Sequence, residues 1–241
     1  MQSFSMTDIG RKRQLNQDYV FASDEGVGKL HNLFIVADGM GGHNAGDFAS
    51  KYAVETVVRE IKGSVETKTF RIIGKAVRIA NELIRERAKE DINLYGMGTT
   101  IVIASIENHQ LQIANVGDSR LYVINDEIRQ ITRDHSLVEE MVRMGGMTPE
   151  TARNHPDKNI ITRAVGARDS VEVDFFTEDL NRGDIVLMCS DGLTNMLRDE
   201  EIKQIVNGEG TLEERAKALI LKANENGGKD NIAVILIDDY A

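Results

Sequence analysis

The chain has one cysteine, no apolar stretch of membrane-spanning length and no excess of cations. With Cys189 alone there is no internal disulfide, which suits a reducing cytoplasm. Cys189 lies inside an apolar run, where a small buried hydrophobe is the simpler reading than a nucleophile. A membrane helix needs about 18 or more consecutive apolar residues, and none occurs. Residues 1–10 lack a charged-then-apolar leader pattern, so a cytoplasmic location is expected. Lys plus Arg number 29 against 39 Asp plus Glu, a formal net charge of −10. Nucleic acids and anionic membranes select clustered cations, so neither is expected as a partner.

Several chemistries are also missing. The five histidines (His31, His43, His109, His135, His155) show no zinc-like spacing, and most of them read as loop or surface residues. No glycine-rich loop ends in Lys-Ser or Lys-Thr, and no Gly-x-Ser-x-Gly elbow is present. No internal repeat, low-complexity segment or linker divides the 241 residues. A single domain over 1–241, long enough for a full core, is expected.

What is present centres on Leu33-Phe34-Ile35-Val36-Ala37-Asp38-Gly39-Met40-Gly41-Gly42-His43. A β-branched apolar run stops at an acid and three glycines follow, so the spacing predicts a buried strand ending at Asp38. A carboxylate in a crowded core must be paired, hydrogen-bonded or metal-bound. The pattern recurs at Ile185-Val186-Leu187-Met188-Cys189-Ser190-Asp191-Gly192. Helical spacing predicts amphipathic helices over 45–61 and 70–84. From Gly98 onward, short β-rich runs at 99–106, 111–116, 121–124 and 128–131 predict an antiparallel meander. Residues 132–159 are polar, hold Pro149 and Pro156, and predict one or two short helices (137–144, 149–153) in an excursion of functional type. Strands are predicted over 171–176, 184–189 and 232–237. Helices are predicted over 199–206 and after the capping box Thr211-Leu212-Glu213-Glu214.

Asp38, Asp118, Asp191 and Asp230 each fall at a strand edge. Asp118 alone also fits an ordinary turn, and Arg13 alone fits a solvated one, although a guanidinium fork suits phosphate oxygens. Scattered carboxylates that converge are what hard cations require. The acids point to two or more Mg²⁺ or Mn²⁺ ions and a metal-activated water.

Six motifs follow one another in order: Arg13-Gln14-Leu15-Asn16-Gln17-Asp18, Val36-Ala37-Asp38-Gly39-Met40-Gly41-Gly42-His43, Gly98-Thr99-Thr100, Val116-Gly117-Asp118-Ser119-Arg120, Ser190-Asp191-Gly192-Leu193 and Gly228-Lys229-Asp230-Asn231. Together they resemble the metal-dependent serine/threonine protein phosphatases of the type-2C family, in their compact bacterial form. The resemblance spans residues 7–237. It implies an α+β fold: a four-layer αββα sandwich of two antiparallel sheets flanked by helix pairs, with a dinuclear metal cleft at one end. It also implies that Asp38 bridges two Mn²⁺ or Mg²⁺ ions, Gly39 binds the second through its carbonyl, and Asp191 and Asp230 complete the first. Asp118, with Asp191, matches a third, weaker site. Asp18 would orient metal-bound water from behind the ligands, Arg13 would grip the phosphate, and residues 132–163 would form a flap.

Two positions depart from the better-known eukaryotic pattern. Gln17 stands where an acid often stands, and Met40 where a histidine proposed as general acid is often found. The implied activity is hydrolysis of phosphoserine and phosphothreonine in proteins by a hydroxide bridging the metals. The implied partners are phosphorylated proteins, a serine/threonine kinase among them, and the expected state is a monomer. Two rival readings are a catalytically silent binding module on the same fold and a metal-dependent phosphodiesterase. The intact acid set argues against the first, and the acidic charge without a basic groove argues against the second.

Overall fold

A computed structural model describes residues 1–42 and 45–241. Its strands are β1 (Gln2–Asp8), β2 (Asp18–Ser23), β3 (Leu33–Met40), β4 (Gly98–Thr99), β5 (Ile101–Glu107), β6 (Gln110–Val116), β7 (Arg120–Ile124), β8 (Ile128–Gln130), β9 (Asp174–Asp179), β10 (Ile185–Cys189) and β11 (Ile232–Asp238). Its helices are α1 (Ala45–Lys62), α2 (Thr69–Glu90), α3 (Leu137–Arg143), α4 (Pro149–Arg153), α5 (Asp191–Thr194), α6 (Asp199–Val206) and α7 (Leu212–Glu225). Every pairing is antiparallel, in one sheet of order β1-β11-β10-β7-β8 and a second of order β2-β3-β5-β6-β9, with β4 added to β3. The expected four-layer αββα arrangement is what the chain adopts.

The layering follows from strands buried on both faces. In β3, Leu33, Ile35 and Ala37 pack under α1 and α2, while Phe34 and Val36 face the other sheet. In β11, Ile232, Val234 and Leu236 meet α6 and α7, and Ala233, Ile235 and Ile237 close the inter-sheet core. Period-two alternation sends successive side chains to opposite faces, so a continuous apolar run is needed wherever both faces are covered. Cys189 is one of these residues: it is free, fully buried, and burial pushes its thiol well up, which leaves it inert. Thr211 caps α7 reciprocally with Glu214, as expected. Among the described residues no helix is long and apolar enough to cross a membrane.

Three expectations need correction. The run from Gly98 is not one meander: β5 and β6 belong to one sheet, β7 and β8 to the other, and residues 117–119 carry the chain between them. Strand β9 occupies 174–179 rather than 171–176: Val171 and Val173, partly buried, pack against the core of α1, α2 and their sheet instead of pairing. Finally, β3 runs two residues past Asp38, since Gly39 and Met40 pair with β4.

Candidate active site

The crossover between sheets, the ends of β3 and β10 and the start of β11 all lie at one end of the sandwich. There Asp38, Asp118, Asp191 and Asp230, with Arg13 and Gly39, line a cavity of about 240 Å³. Asp18 is buried behind them, directly opposite Asp38 in the β2–β3 register.

Local bonds fix the backbone that carries Asp38 and tie it to the crossover. Thr100 N–H donates to the Asp38 carbonyl (2.9 Å), Thr99 Oγ1 donates to the same oxygen (2.9 Å), and Asp38 N–H donates to Thr100 Oγ1 (3.0 Å). Thr100 Oγ1 also shares a hydrogen bond with Ser119 Oγ (2.8 Å), which ties the Asp38 strand to the crossover bearing Asp118. Two glycines allow close approach. A Cβ on Gly39 would stand 1.8 Å from the Gly46 carbonyl oxygen, where α1 begins, and one on Gly192 would stand 1.8 Å from that of Asn231. The second contact seats α5 on the loop of Asp230 and so brings Asp191 beside it.

Sequence reading missed several supports. Asn231 donates from Nδ2 to the carbonyls of Ile9 (2.9 Å) and Leu15 (3.0 Å), and accepts from Gln17 N–H (2.9 Å). It thereby staples the Arg13 loop over the site. Ser190 Oγ donates to Asp18 Oδ2 (2.6 Å) and accepts from Ala233 N–H (2.9 Å). His135 is a buried loop residue: it accepts from Gly117 N–H through Nδ1 (3.0 Å), and burial lowers its pKa. The signal for Asn231 and Ser190 was their position: a polar residue beside an acid at the end of an apolar run needs partners. Arg13 stands at the rim of the cavity. Its Nη2 donates to Asp230 Oδ2 (2.7 Å), and its side chain is 47% exposed. Met40 lines the cavity and packs its thioether methyl on Gly98. His43 lies outside the described residues.

Burial of so many acids together is costly. Desolvation first, then the charge of Asp18, holds Asp38 well above the usual carboxylate range. Burial and then Asp191 do the same to Asp118. Burial pushes Asp18 up to about 8 and Asp191 up to about 6, with Asp230 adding repulsion in both cases. Asp18 Oδ1 is buried with no hydrogen-bond partner. Such an arrangement is unfavourable unless positive charge offsets it. Among the described residues no three Asp, Glu, His or Cys side chains stand in finished coordination geometry, and Asp230 is engaged by Arg13. The donor chemistry nonetheless fits a hard divalent cation: oxygens alone, several of them anionic, converging from β3, the β6–β7 crossover, the start of α5 and the loop before β11.

A family model described as Protein phosphatase 2C matches residues 9–236. The chain belongs to the protein phosphatase 2C family. Serine/threonine phosphatase stp of Listeria innocua is 44% identical over 239 residues, covering 96% of this chain and 93% of that protein. The crystal structure of serine/threonine phosphatase Stp1 from Staphylococcus aureus superposes with a TM-score of 0.92 at 36% identity, covering 100% of this chain and 95% of that one. The catalytic domain of serine threonine protein phosphatase PstP, solved in complex with two manganese ions, superposes with a TM-score of 0.86 at 32% identity over 98% and 97% of the two chains. The protein is thus a serine/threonine protein phosphatase of the 2C type, a metal-dependent family.

Proposed function

We propose that this 2C phosphatase hydrolyses phosphoserine and phosphothreonine in proteins with two Mn²⁺ or Mg²⁺ ions held by Asp38, the Gly39 carbonyl, Asp191 and Asp230. Asp118 belongs to a third, weaker cation site shared with Asp191. Cations held by these groups would supply Lewis acidity toward the phosphoryl oxygens and lower the pKa of water enough to make it nucleophilic near neutral pH. The observation that carries the reading is the set of four aspartates around one 240 Å³ cavity, three of them raised by burial and mutual repulsion. Only a strong local positive charge makes all of them favourable as anions.

The remaining roles fall to this chain's own groups. Arg13, half exposed at the rim, exchanges its bond to Asp230 for the phosphate, whose charge spreads over oxygens that a planar fork can bind in pairs. Asp18, bonded to Ser190, accepts a proton or hydrogen bond from water on the inner side of the site. Asn159 and Ile161, from the 132–163 excursion, roof the cavity, and the excursion acts as a flap over bound substrate. The enzyme works as one domain over 1–241, as a monomer in the cytoplasm, and opposes a serine/threonine kinase acting on the same proteins. The test is phosphate release from a phosphothreonine protein by wild type and Asp38→Asn, each with added Mn²⁺. Loss in the variant supports the assignment, and full activity in the variant removes it.

A further inference from the structure

We propose that Lys158 and Asn195 are positioning residues that couple docking of the flap to cation affinity at Asp191. The inference rests on the reading of Asp191 as a cation ligand. Asn195 Nδ2 donates to Asp191 Oδ2 at 2.9 Å, and Asn195 N–H donates to the Asp191 carbonyl at 2.7 Å, so the two residues share one turn. A carboxamide has an oxygen end and a nitrogen end, and only the nitrogen end can donate to a carboxylate. Lys158 Nζ donates to Asn195 Oδ1 at 2.9 Å. An ammonium has no acceptor, so this contact selects the amide orientation in which the NH₂ faces Asp191. Without Lys158 the amide keeps its bond to Asp191 but loses the cation that polarises it and pins its side chain, so its N–H donates more weakly and holds the carboxylate less firmly.

Lys158 comes from the flap, and a second flap residue grips the same segment: Arg153 Nη2 donates to the Leu197 carbonyl at 2.7 Å. Leu197 is fully buried, so that carbonyl is a fixed anchor on the body of the protein. The flap therefore holds 195–197 at two points, and one of them continues directly to Asp191. Groups that hold a metal-binding carboxylate from outside set its orientation and basicity. Linkage makes the coupling reciprocal: if a docked flap favours the cation, the cation favours a docked flap by the same factor. A flap that served only as a tethered cover would leave cation affinity unchanged when Lys158 is lost.

The test uses the full chain and Mn²⁺ alone, read by titration calorimetry and by hydrogen exchange over residues 149–160. Asn195→Ala is expected to weaken Mn²⁺ binding by about tenfold, the low end for loss of such a support, and Lys158→Met by several-fold. Lys158→Arg, which still donates, should recover most of that loss. The double variant should bind no worse than about twofold below Asn195→Ala, because Lys158 acts through the amide. Mn²⁺ should slow exchange in the flap of the wild type and not in either single variant. Wild-type Mn²⁺ affinity in Lys158→Met, or losses that multiply in the double variant, would overturn the relay. Asp191→Asn separates the two readings: if it binds Mn²⁺ as the wild type does, the assignment of Asp191 fails. If it loses binding while Lys158→Met and Asn195→Ala do not, only the relay fails.

Discussion

Replacing Asp191 by Asn should inactivate the enzyme yet stabilise it in chelator at alkaline pH. Burial and Asp230 raise the Asp191 pKa from its ordinary 3.8 to about 6. A group whose folded pKa exceeds its unfolded one contributes most below the unfolded value, and that contribution is lost as pH rises through the folded value. Wild type should therefore lose stability relative to Asp191→Asn between about pH 4 and pH 7. The rise from 3.8 to about 6 corresponds to about 3 kcal/mol. Asp191 keeps some contact with solvent, and screening trims the figure to on the order of 2 kcal/mol. For a chain of this size that is about 4–8 °C in Tm. The variant can still accept from Asn195 through its amide oxygen, so the packing of α5 need not change. His135, whose lowered pKa acts in the opposite sense, is common to both proteins and cancels in the difference. The assay is thermal unfolding of both proteins in EDTA at pH 4.5, 6 and 8, repeated with excess Mn²⁺. With Mn²⁺ the order should reverse, since a cation at about a hundred times its Kd adds about 2.7 kcal/mol to the protein that binds it. A variant that is less stable than wild type at pH 8 in EDTA, or a difference that ignores pH, would refute the reasoning.

Three further outcomes can be measured. Arg13→Ala should lose about 1.5–3 kcal/mol in kcat/KM for a phosphothreonine peptide, the worth of a charged hydrogen bond, and Arg13→Lys should recover only part of it; unchanged kinetics in both would make Arg13 merely the partner of Asp230. Asp118→Asn should retain two bound Mn²⁺ by calorimetry while turnover falls, and collapse of two-ion binding would move Asp118 into the core pair. Met40 cannot donate a proton, so Met40→His should raise turnover on phosphopeptides relative to aryl phosphates, whose leaving groups need protonation less. Equal effects on the two substrates would mean that Met40 only packs on Gly98.

The parts of this fold that were legible in the sequence are those where local and tertiary demands agree. The apolar runs of β3, β10 and β11 are buried on both faces, so their sequences cannot hide the strand. Asp38, Asp118, Asp191 and Asp230 stood out because each interrupts such a run or its edge, and they do meet in one cavity. Strand β9 was displaced because four of the six residues in Asp174-Phe175-Phe176-Thr177-Glu178-Asp179 are polar and no apolar alternation marks it, while the more strand-like Val171 and Val173 pack against the core as loop residues. The crossing from β6 to β7 left no sequence signal, since a two-sheet exchange and a hairpin both use Gly-Asp-Ser. The supports of the site were equally hidden. Asn231 meets Ile9 and Leu15 more than 200 positions away, and Lys158 meets Asn195 across 37. Spacing along the chain carries no trace of bonds of that range.

Phosphate release from a phosphothreonine protein, followed as the chelated enzyme is titrated with Mn²⁺, tests the central claim most directly. The account predicts no turnover in EDTA, recovery as Mn²⁺ is restored, and no recovery by Asp38→Asn at any Mn²⁺ concentration that saturates the wild type. Turnover that persists in excess chelator, or an Asp38→Asn protein restored to wild-type rate, would contradict it.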